Sequence, residues 1–222
     1  MQIEKKQIAY NRVARSGAIK YIVIHDTGNK SKGADADSHF RYFNGGNRNS
    51  SADFFVDDKT VLQVNDYTKY YTWHVGDGKG KYGITNANSV GIEICVNADG
   101  NYDGAYVKAV ELTKYLMKQL GIGAERVVRH YDASRKNCPA SMSGNGWALW
   151  EKFKQLIKEE IKMAECKFTD ISGHYGEKQI REVFEMGIMN GVDETHFEPD
   201  KPVTRAQAAI IARNVVRYIT GK

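Results

Sequence analysis

A short segment in the second half of the sequence brings together side chains that could bind a metal or react. Residues 129–139 read R-H-Y-D-A-S-R-K-N-C-P, which places His130, Lys136 and Cys138 within nine residues. Imidazole and thiolate groups are ligands that a borderline-soft cation such as Zn²⁺ selects. Loops on a rigid scaffold often carry reactive groups, and this segment is short of apolar residues. Two ligands do not hold a catalytic metal, so the site requires residues from elsewhere in the chain.

His25 is a third candidate ligand, because it lies at the C-terminal end of a predicted buried strand. Residues 19–24 are short, β-branched and aromatic, and the turn-forming residues D-T-G-N occupy positions 26–29. Strand ends that open into loops are favoured positions for site residues in α/β folds. From this position alone, His25 is either a ligand or a structural histidine.

Glu93 interrupts an apolar strand pattern. Residues 90–96 alternate, so that Val90, Ile92 and Ile94 face one side while Glu93 faces the other with Gly91 and Cys95. A carboxylate within such a strand is costly unless it is paired or functional. Either this is an edge strand with Glu93 in water, or Glu93 faces a cleft as a proton carrier. We favour the second interpretation.

An aromatic segment could contribute a binding surface. Residues 70–76 (Y-Y-T-W-H-V-G) run into the glycine-containing loop 77–81, so Trp73 and His74 are candidates for substrate contacts, with core packing as the alternative. His39 lies in a predicted helix at 35–44 and has no chemical context, which favours a packing or surface role.

The remaining elements predict an α/β domain followed by a small helical module. A hairpin is predicted at 54–56 and 61–64, and amphipathic helices at 105–120 and from 147 to about 162. The composition changes after Met163, and residues 168–218 read as helix, loop and helix, with Thr204 capping a last helix whose Ala/Ile/Val face is expected to be buried.

Bulk composition narrows the function classes. The 222 residues are 41% hydrophobic and 27% charged, as in globular proteins, with no apolar run long enough for membrane insertion. The N-terminus lacks the apolar core of a secretory signal, and three cysteines favour thiols in a reducing compartment, so we expect folding in the cytoplasm. The net charge of +5 suits an anionic polymer, and without a dense Lys/Arg run no nucleic-acid partner is predicted.

Residues 1–163 resemble the zinc-dependent N-acetylmuramoyl-L-alanine amidases of the phage-lysozyme and peptidoglycan-recognition-protein type. The matching segments, in order, are I-V-I-H-D-T-G at 22–28, W-H-V-G at 73–76, V-G-I-E-I at 90–94 and R-H-Y-D…K-N-C-P at 129–139. The resemblance implies a mixed central β-sheet flanked by helices. It also implies Zn²⁺ held by His25, His130 and Cys138, with water in the fourth position.

The resemblance further implies roles for the neighbouring residues. Lys136 would stand beside the oxyanion that develops on the substrate, and Glu93 would move the proton. Several relatives use a tyrosine on the strand after the first helix, whereas Ala52 is nearest to that position here. This departure shifts the acid–base role towards Glu93.

Residues 164–222 resemble one S-layer homology module. The matching pattern is F-T-D…H-Y…G-I-M-N-G…F-E-P…T-R-A-Q-A-A, in which Arg205 is the anion-binding candidate. Such modules bind secondary cell-wall polymers, so the resemblance implies that partner. Two departures stand out: the usual set of three modules is reduced to one, and Gln207 replaces the usual glutamate. A single copy suggests that avidity comes from self-association of chains.

The expected activity is therefore hydrolysis of the amide between N-acetylmuramic acid and L-alanine in peptidoglycan. Two alternatives are a peptidoglycan-binding protein without catalysis and a cysteine peptidase that uses Cys138. A wall-binding module without an export signal indicates a phage endolysin that waits in the host cytoplasm, with a bacterial autolysin as the alternative. Because Glu159 and Glu160 have purine-rich codons, Met163 is a candidate internal start that would produce a free wall-binding fragment.

Overall fold

The central feature of the N-terminal part is a mixed six-stranded sheet. The computed structural model describes residues 1–158 and 166–220, with the side chains of 219–220 not described. The sheet has the order β1-β5-β4-β7-β3-β8. Its strands are β1 (Glu4–Lys5), β3 (Tyr21–Asp26), β4 (Phe54–Val56), β5 (Val61–Gln63), β7 (Ser89–Ile94) and β8 (Val127–Arg129), while β2 (Arg12–Ala14) pairs with β6 (Tyr70–Thr72) in a separate antiparallel ribbon.

The described residues also form six α-helices. They are α1 (Ala36–Asn44), α2 (Tyr102–Leu120), α3 (His130–Ser134), α4 (Gly144–Lys158), α5 (Glu177–Glu185) and α6 (Arg205–Thr220). The hairpin and the amphipathic helices predicted from the sequence are present, whereas β1 and the β2–β6 ribbon were not predicted. The fold is a mixed central sheet flanked by helices, as predicted.

The centre of the sheet is parallel and buried on both faces. β7 pairs in parallel with β4 on one side and with β3 on the other. Parallel strands covered on both faces are rich in β-branched residues, as in I-V-I at 22–24. Because β7 lies between two strands, the edge-strand alternative for Glu93 is wrong.

Two helices cover one face of this sheet. α2 buries Ala109, Leu112 and Leu116, and ends at Gly121, which has the left-handed φ of 63° that favours glycine. α4 contributes Trp150, Phe153 and Ile157 to the same cluster. These stripes match the predicted spacing, so both helices are held mainly by apolar burial.

The chain divides into two compact units, Met1–Glu159 and Glu160–Lys222. The predicted boundary at residue 163, and with it the candidate start at Met163, lies outside the described residues. No helix among the described residues combines the length and the apolar character needed to cross a membrane.

The C-terminal unit has a small core made of Phe168, Ile171 and Ile180. Thr204 caps α6: its Oγ1 accepts from Gln207 N at 3.2 Å, and Gln207 Oε1 accepts from Thr204 N at 2.9 Å. Glutamine therefore completes the capping box as a glutamate would. The prediction of a buried face on α6 was wrong, since Ile210 is 59% exposed in the single chain.

Candidate active site

The three predicted metal ligands meet at one edge of the sheet. His25 is the fifth residue of β3, and His130 begins α3 directly after β8. Because β3 and β8 are parallel neighbours, their carboxyl ends lie side by side. Cys138 follows α3 and is held by its backbone, whose carbonyl accepts from Tyr131 N at 3.0 Å.

The donor atoms of this cluster are close together and shielded from solvent. Nδ1 of His25 lies 3.1 Å from Nδ1 of His130 and 3.8 Å from Sγ of Cys138. Their ligand atoms all lie within 4.8 Å of one another. The residues are only 1%, 4% and 5% exposed, respectively.

This donor set fits a tetrahedral zinc ion. Bonds of about 2.0–2.1 Å to nitrogen and about 2.3 Å to sulfur place neighbouring donors roughly 3.3–3.6 Å apart. Burial, followed by the nearby His74 and His130, lowers the pKa of His25 well below its usual value, which keeps the ring neutral and able to ligate. Burial raises the pKa of the Cys138 thiol, so the thiolate needs a cation beside it.

A hydrogen-bond chain orients the ring of His25. Ser89 Oγ donates to the Thr85 carbonyl at 2.6 Å, so at 3.1 Å it accepts from Nε2 of His74. The other nitrogen of His74 then accepts from Nε2 of His25 at 3.0 Å. This order of donors leaves Nδ1 of His25 unprotonated and directed at the cluster.

A carboxylate orients the second histidine in the same way. Nε2 of His130 donates to Oδ1 of Asp77 at 2.8 Å, which leaves its Nδ1 unprotonated. Two unprotonated nitrogens 3.1 Å apart repel each other unless a cation lies between them. Asp77 and Ser89 were not predicted from the sequence; a carboxylate in the loop after W-H-V-G was the available signal for Asp77.

Glu93 lies beside the cluster on the central strand. Its register partner on β3 is His25, and its Oε1 is 3.9 Å from His25 Nδ1. Burial, reinforced by Asp26 and opposed by Lys136, raises the pKa of Glu93 to about 8. The described residues therefore bring a carboxyl group with high proton affinity next to the donor atoms.

Lys136 is exposed on the loop between α3 and Cys138. Its positive charge lowers the pKa of Glu93 and of His25, although burial is the larger influence on both. The ammonium group therefore adds positive potential at the donor cluster.

Trp73 and His74, the two candidates in the aromatic segment, lie in different environments. Trp73 is partly buried, and its backbone N–H and carbonyl pair with Ser51. His74 is 8% exposed, with both ring nitrogens at hydrogen-bond distance from His25 and Ser89. The predicted substrate contact of His74 does not fit this interior position, because no ring nitrogen remains for a ligand.

Two further predicted positions are structurally distinct from the cluster. Ala52, at the place of the relatives' tyrosine, is buried against Phe55 and Leu62 and offers no polar group. Arg205 is exposed at the first residue of α6 in the C-terminal unit.

The fold and the donor set define a site of the zinc-hydrolase type. The family model described as N-acetylmuramoyl-L-alanine amidase matches residues 15–141, and the S-layer homology domain model matches residues 167–209. The chain belongs to the N-acetylmuramoyl-L-alanine amidase family, whose members are in general zinc-dependent.

Individual relatives agree with this membership. The amidase CwlH of Bacillus subtilis is 40% identical over 132 residues, which cover 60% of this chain and 52% of CwlH. The amidase XlyA of the same species is 38% identical over 149 residues, covering 67% of this chain and 48% of XlyA. The chain thus matches about half the length of these curated relatives.

Solved structures are similar over the N-terminal part. The catalytic domain of XlyA superposes with a TM-score of 0.63 at 36% identity, covering 71% of this chain and 99% of that domain. The structure of PlyL has a TM-score of 0.61 at 30% identity, covering 71% of this chain and 97% of PlyL. The similarity therefore spans a whole catalytic domain.

Proposed function

We propose that this chain hydrolyses the amide between N-acetylmuramic acid and the L-alanine of peptidoglycan stem peptides. The observation that carries the proposal is the buried cluster of His25, His130 and Cys138 with the Glu93 carboxyl beside it. Family membership gives the substrate class, and the cluster gives the means of hydrolysis. Zn²⁺ is the cofactor that this donor set fits.

Glu93 and Lys136 have separate roles in the proposed reaction. Zinc, when bound, supplies a Lewis acid that polarises a carbonyl and acidifies water. Glu93 takes the proton of the attacking water on its carboxylate and delivers it to the leaving nitrogen of L-alanine. The Lys136 ammonium stabilises negative charge on the former carbonyl oxygen, a contribution of about 3–4 kcal/mol for one such donor.

The neighbouring residues prepare the site. His74 and Asp77 hold the ligating rings in the required tautomer, and Trp73 contacts the glycan or the stem peptide. The burial of His25 and His130 excludes bulk water from the donor atoms, which strengthens their electrostatic interactions.

Two observations oppose the alternative functions. A cysteine peptidase needs a thiol with a lowered pKa, whereas burial raises the pKa of Cys138. A binding protein without catalysis has no need of the third ligand, and this chain retains Cys138 within the cluster.

The C-terminal unit has a separate proposed role. Its S-layer homology domain supports binding to cell-wall polymers, with Arg205 as the group that contacts their anionic substituents. The exposed apolar side chains Ile210 and Tyr218 on α6 support self-association through this unit. Similarity to endolysin structures supports action as a phage endolysin, held in the host cytoplasm until it reaches the wall.

Digestion of purified cell wall tests the activity. The zinc-loaded protein should release stem peptides that begin with a free L-alanine amine, identified by mass. A chelator should abolish the release and added Zn²⁺ restore it. Full activity of a Cys138→Ala variant, or inactivation by thiol alkylation of a chelator-resistant enzyme, contradicts the proposal.

A further inference from the structure

A cavity of about 290 Å³ lies next to Glu93, and the residues that line it do not include His25, His130 or Cys138. α1 contributes His39, Tyr42 and Phe43, β4 contributes Phe55, and Thr27 lines it from the segment after β3. This volume is at the lower end for small-molecule sites, so the cavity suits a single amino-acid residue.

The register of the sheet makes this cavity continuous with the reaction centre. Glu93 is paired with His25 on β3 and with Phe55 on β4. The three side chains therefore form one row across parallel strands, with the donor cluster at one end and the cavity at the other. A substrate whose scissile amide lies at Glu93 places its next residues within reach of the cavity.

Three residues that line the cavity carry buried polar atoms that have no partner. In the described residues, six buried side-chain nitrogen or oxygen atoms lack a hydrogen-bond partner, and three of them belong to cavity residues: Thr27 Oγ1, His39 Nε2 and Glu93 Oε2. Buried polar atoms are generally hydrogen-bonded, and leaving one unpaired costs free energy. These atoms therefore indicate a polar ligand.

His39 determines which kind of polar group fits. Its ring stacks on Phe55 with centroids 5.2 Å apart and an interplanar angle of 11°. Burial lowers the pKa of His39, which favours the neutral ring, and a neutral imidazole has one N–H donor and one acceptor nitrogen. Nε2 has no partner in the described residues, so as the acceptor of the neutral ring it would take a hydrogen from a ligand.

The charge of the cavity lining opposes an anion. None of the residues that line it in the described part of the chain is a lysine or arginine, and Tyr42, Phe43 and Phe55 supply apolar walls. A carboxylate that entered would lose hydration without gaining a cation, and it has no hydrogen to donate to His39. A carboxamide carries two N–H donors and an acceptor for the Thr27 hydroxyl.

We propose that this cavity is a subsite that selects a carboxamide over a carboxylate on the stem-peptide residue that follows L-alanine. L-alanine offers only a methyl group, whereas the next residue, a glutamyl unit, carries an α-carboxyl group that is either free or amidated. This inference rests on the proposed amidase function and adds His39 as the residue that determines specificity.

Binding of two product peptides tests the selection without any hydrolysis. The probes are L-alanyl-D-isoglutamine and L-alanyl-D-isoglutamate, added to the full-length zinc-loaded protein and followed by calorimetry and by amide chemical shifts. The amidated peptide should bind at least about tenfold more tightly, with shifts centred on Thr27 and His39. Equal affinities, tighter binding of the acid, or no binding of either peptide overturns the proposal.

A matched pair of variants isolates the role of His39. His39→Phe keeps the stacking on Phe55 and removes Nε2, while His196→Phe makes the same substitution in the C-terminal unit. His39→Phe should lower the amide preference to near unity. Its zinc content and its circular dichroism spectrum should be unchanged. With amidated wall fragments as substrate, the substitution should change KM more than kcat. His196→Phe should keep the preference. An unchanged preference in folded His39→Phe overturns the assignment, whereas failure of wall hydrolysis with intact selective binding refutes only the proposed function.

Discussion

Glu93 and His25 are register partners on neighbouring parallel strands, with Glu93 Oε1 3.9 Å from the His25 Nδ1 that faces the donor cluster. Backbone pairing of two buried strands therefore fixes the separation between the Glu93 carboxyl, the proposed proton carrier, and the donor cluster. A position set by the sheet does not depend on loop conformation, so removal of the carboxylate should affect chemistry with little effect on folding.

Replacement of Glu93 by glutamine keeps the shape of the side chain and removes the base. Acid–base catalysis by one positioned group contributes about 10²–10⁴-fold, so kcat for wall hydrolysis should fall by that factor while zinc content is unchanged. Glu111→Gln, on the exposed side of α2, is the matched control and should retain full activity. Activity of Glu93→Gln within a few-fold of the parent contradicts the assigned role.

Zinc binding should release a proton from Glu93. In the metal-free protein its pKa is raised to about 8, first by burial and then by Asp26, so at pH 7 roughly nine-tenths of the carboxyls are protonated. A nearby dication favours the charged carboxylate and lowers this pKa. On binding zinc at pH 7, the parent protein should therefore release nearly one proton more than Glu93→Gln does. Above about pH 9 the two proteins should release the same number of protons.

Calorimetric titrations in buffers of different ionisation enthalpy count these protons. The Cys138 thiol, whose pKa is raised by burial, releases its proton in both proteins and cancels from the difference. Equal proton release by the two proteins at pH 7 contradicts the raised pKa of Glu93.

The chain from Ser89 through His74 should control metal affinity. His74→Phe removes the acceptor for Nε2–H of His25, and loss of such an outer partner typically weakens metal binding about 10–100-fold. Competition with a chromogenic chelator measures the zinc Kd. Thr68→Ala, which removes an exposed hydroxyl bonded to Asp66, is a control that should leave the Kd unchanged.

The residues of the donor cluster could be predicted from the sequence because each lies in a segment with a strong local signal. The short apolar run before His25 and the polar segment around His130 and Cys138 identify candidates, and the resemblance joins them. The position of His74 could not be predicted, since its contacts with residues 25 and 89 arise from packing between distant segments. His39 was missed as a site residue because its partnerless nitrogen is visible only beside the cavity.

The fold likewise contains elements that could be predicted from the sequence and elements that could not. The strong apolar periodicity of α2 and of residues 90–94 predicted both elements, while the β2–β6 ribbon has no comparable pattern and forms through pairing between Arg12 and Thr72. For α6 the apolar residues of the helix were predicted correctly, but the prediction that they are buried was wrong. Within the described residues, no second copy of the module covers Ile210.

Asp53 gives the N-terminal unit a distinctive pH dependence of stability. It is fully buried and accepts hydrogen bonds from Asn65, Thr72 and the backbone of Gly91, yet burial raises its pKa to about 6. In the unfolded chain the pKa is about 3.9, so the protonated group favours folding below about pH 4 and this contribution is lost as the pH rises through 6.

Asp53→Asn isolates this contribution, because asparagine does not titrate. The free energy of unfolding of the parent minus that of Asp53→Asn should fall by about 2 kcal/mol between pH 4 and pH 7. Urea unfolding followed by tryptophan fluorescence reports on this unit, since all three tryptophans lie within residues 1–158. A difference that is independent of pH contradicts the raised pKa.

The apolar residues of α6 should make the chain self-associate. Ile210 is 59% exposed on the last helix, and a charge introduced there removes apolar surface that a second chain would cover. The parent should sediment as an oligomer at micromolar concentration, and Ile210→Asp as a monomer with unchanged hydrolysis of soluble wall fragments. Val107→Asp, at a 55% exposed position of α2, should remain oligomeric. Because avidity multiplies weak single-site binding, Ile210→Asp should also bind intact walls at least about tenfold less tightly. A monomeric parent contradicts this role for α6, and so does an Ile210→Asp variant that keeps both the oligomer and the affinity.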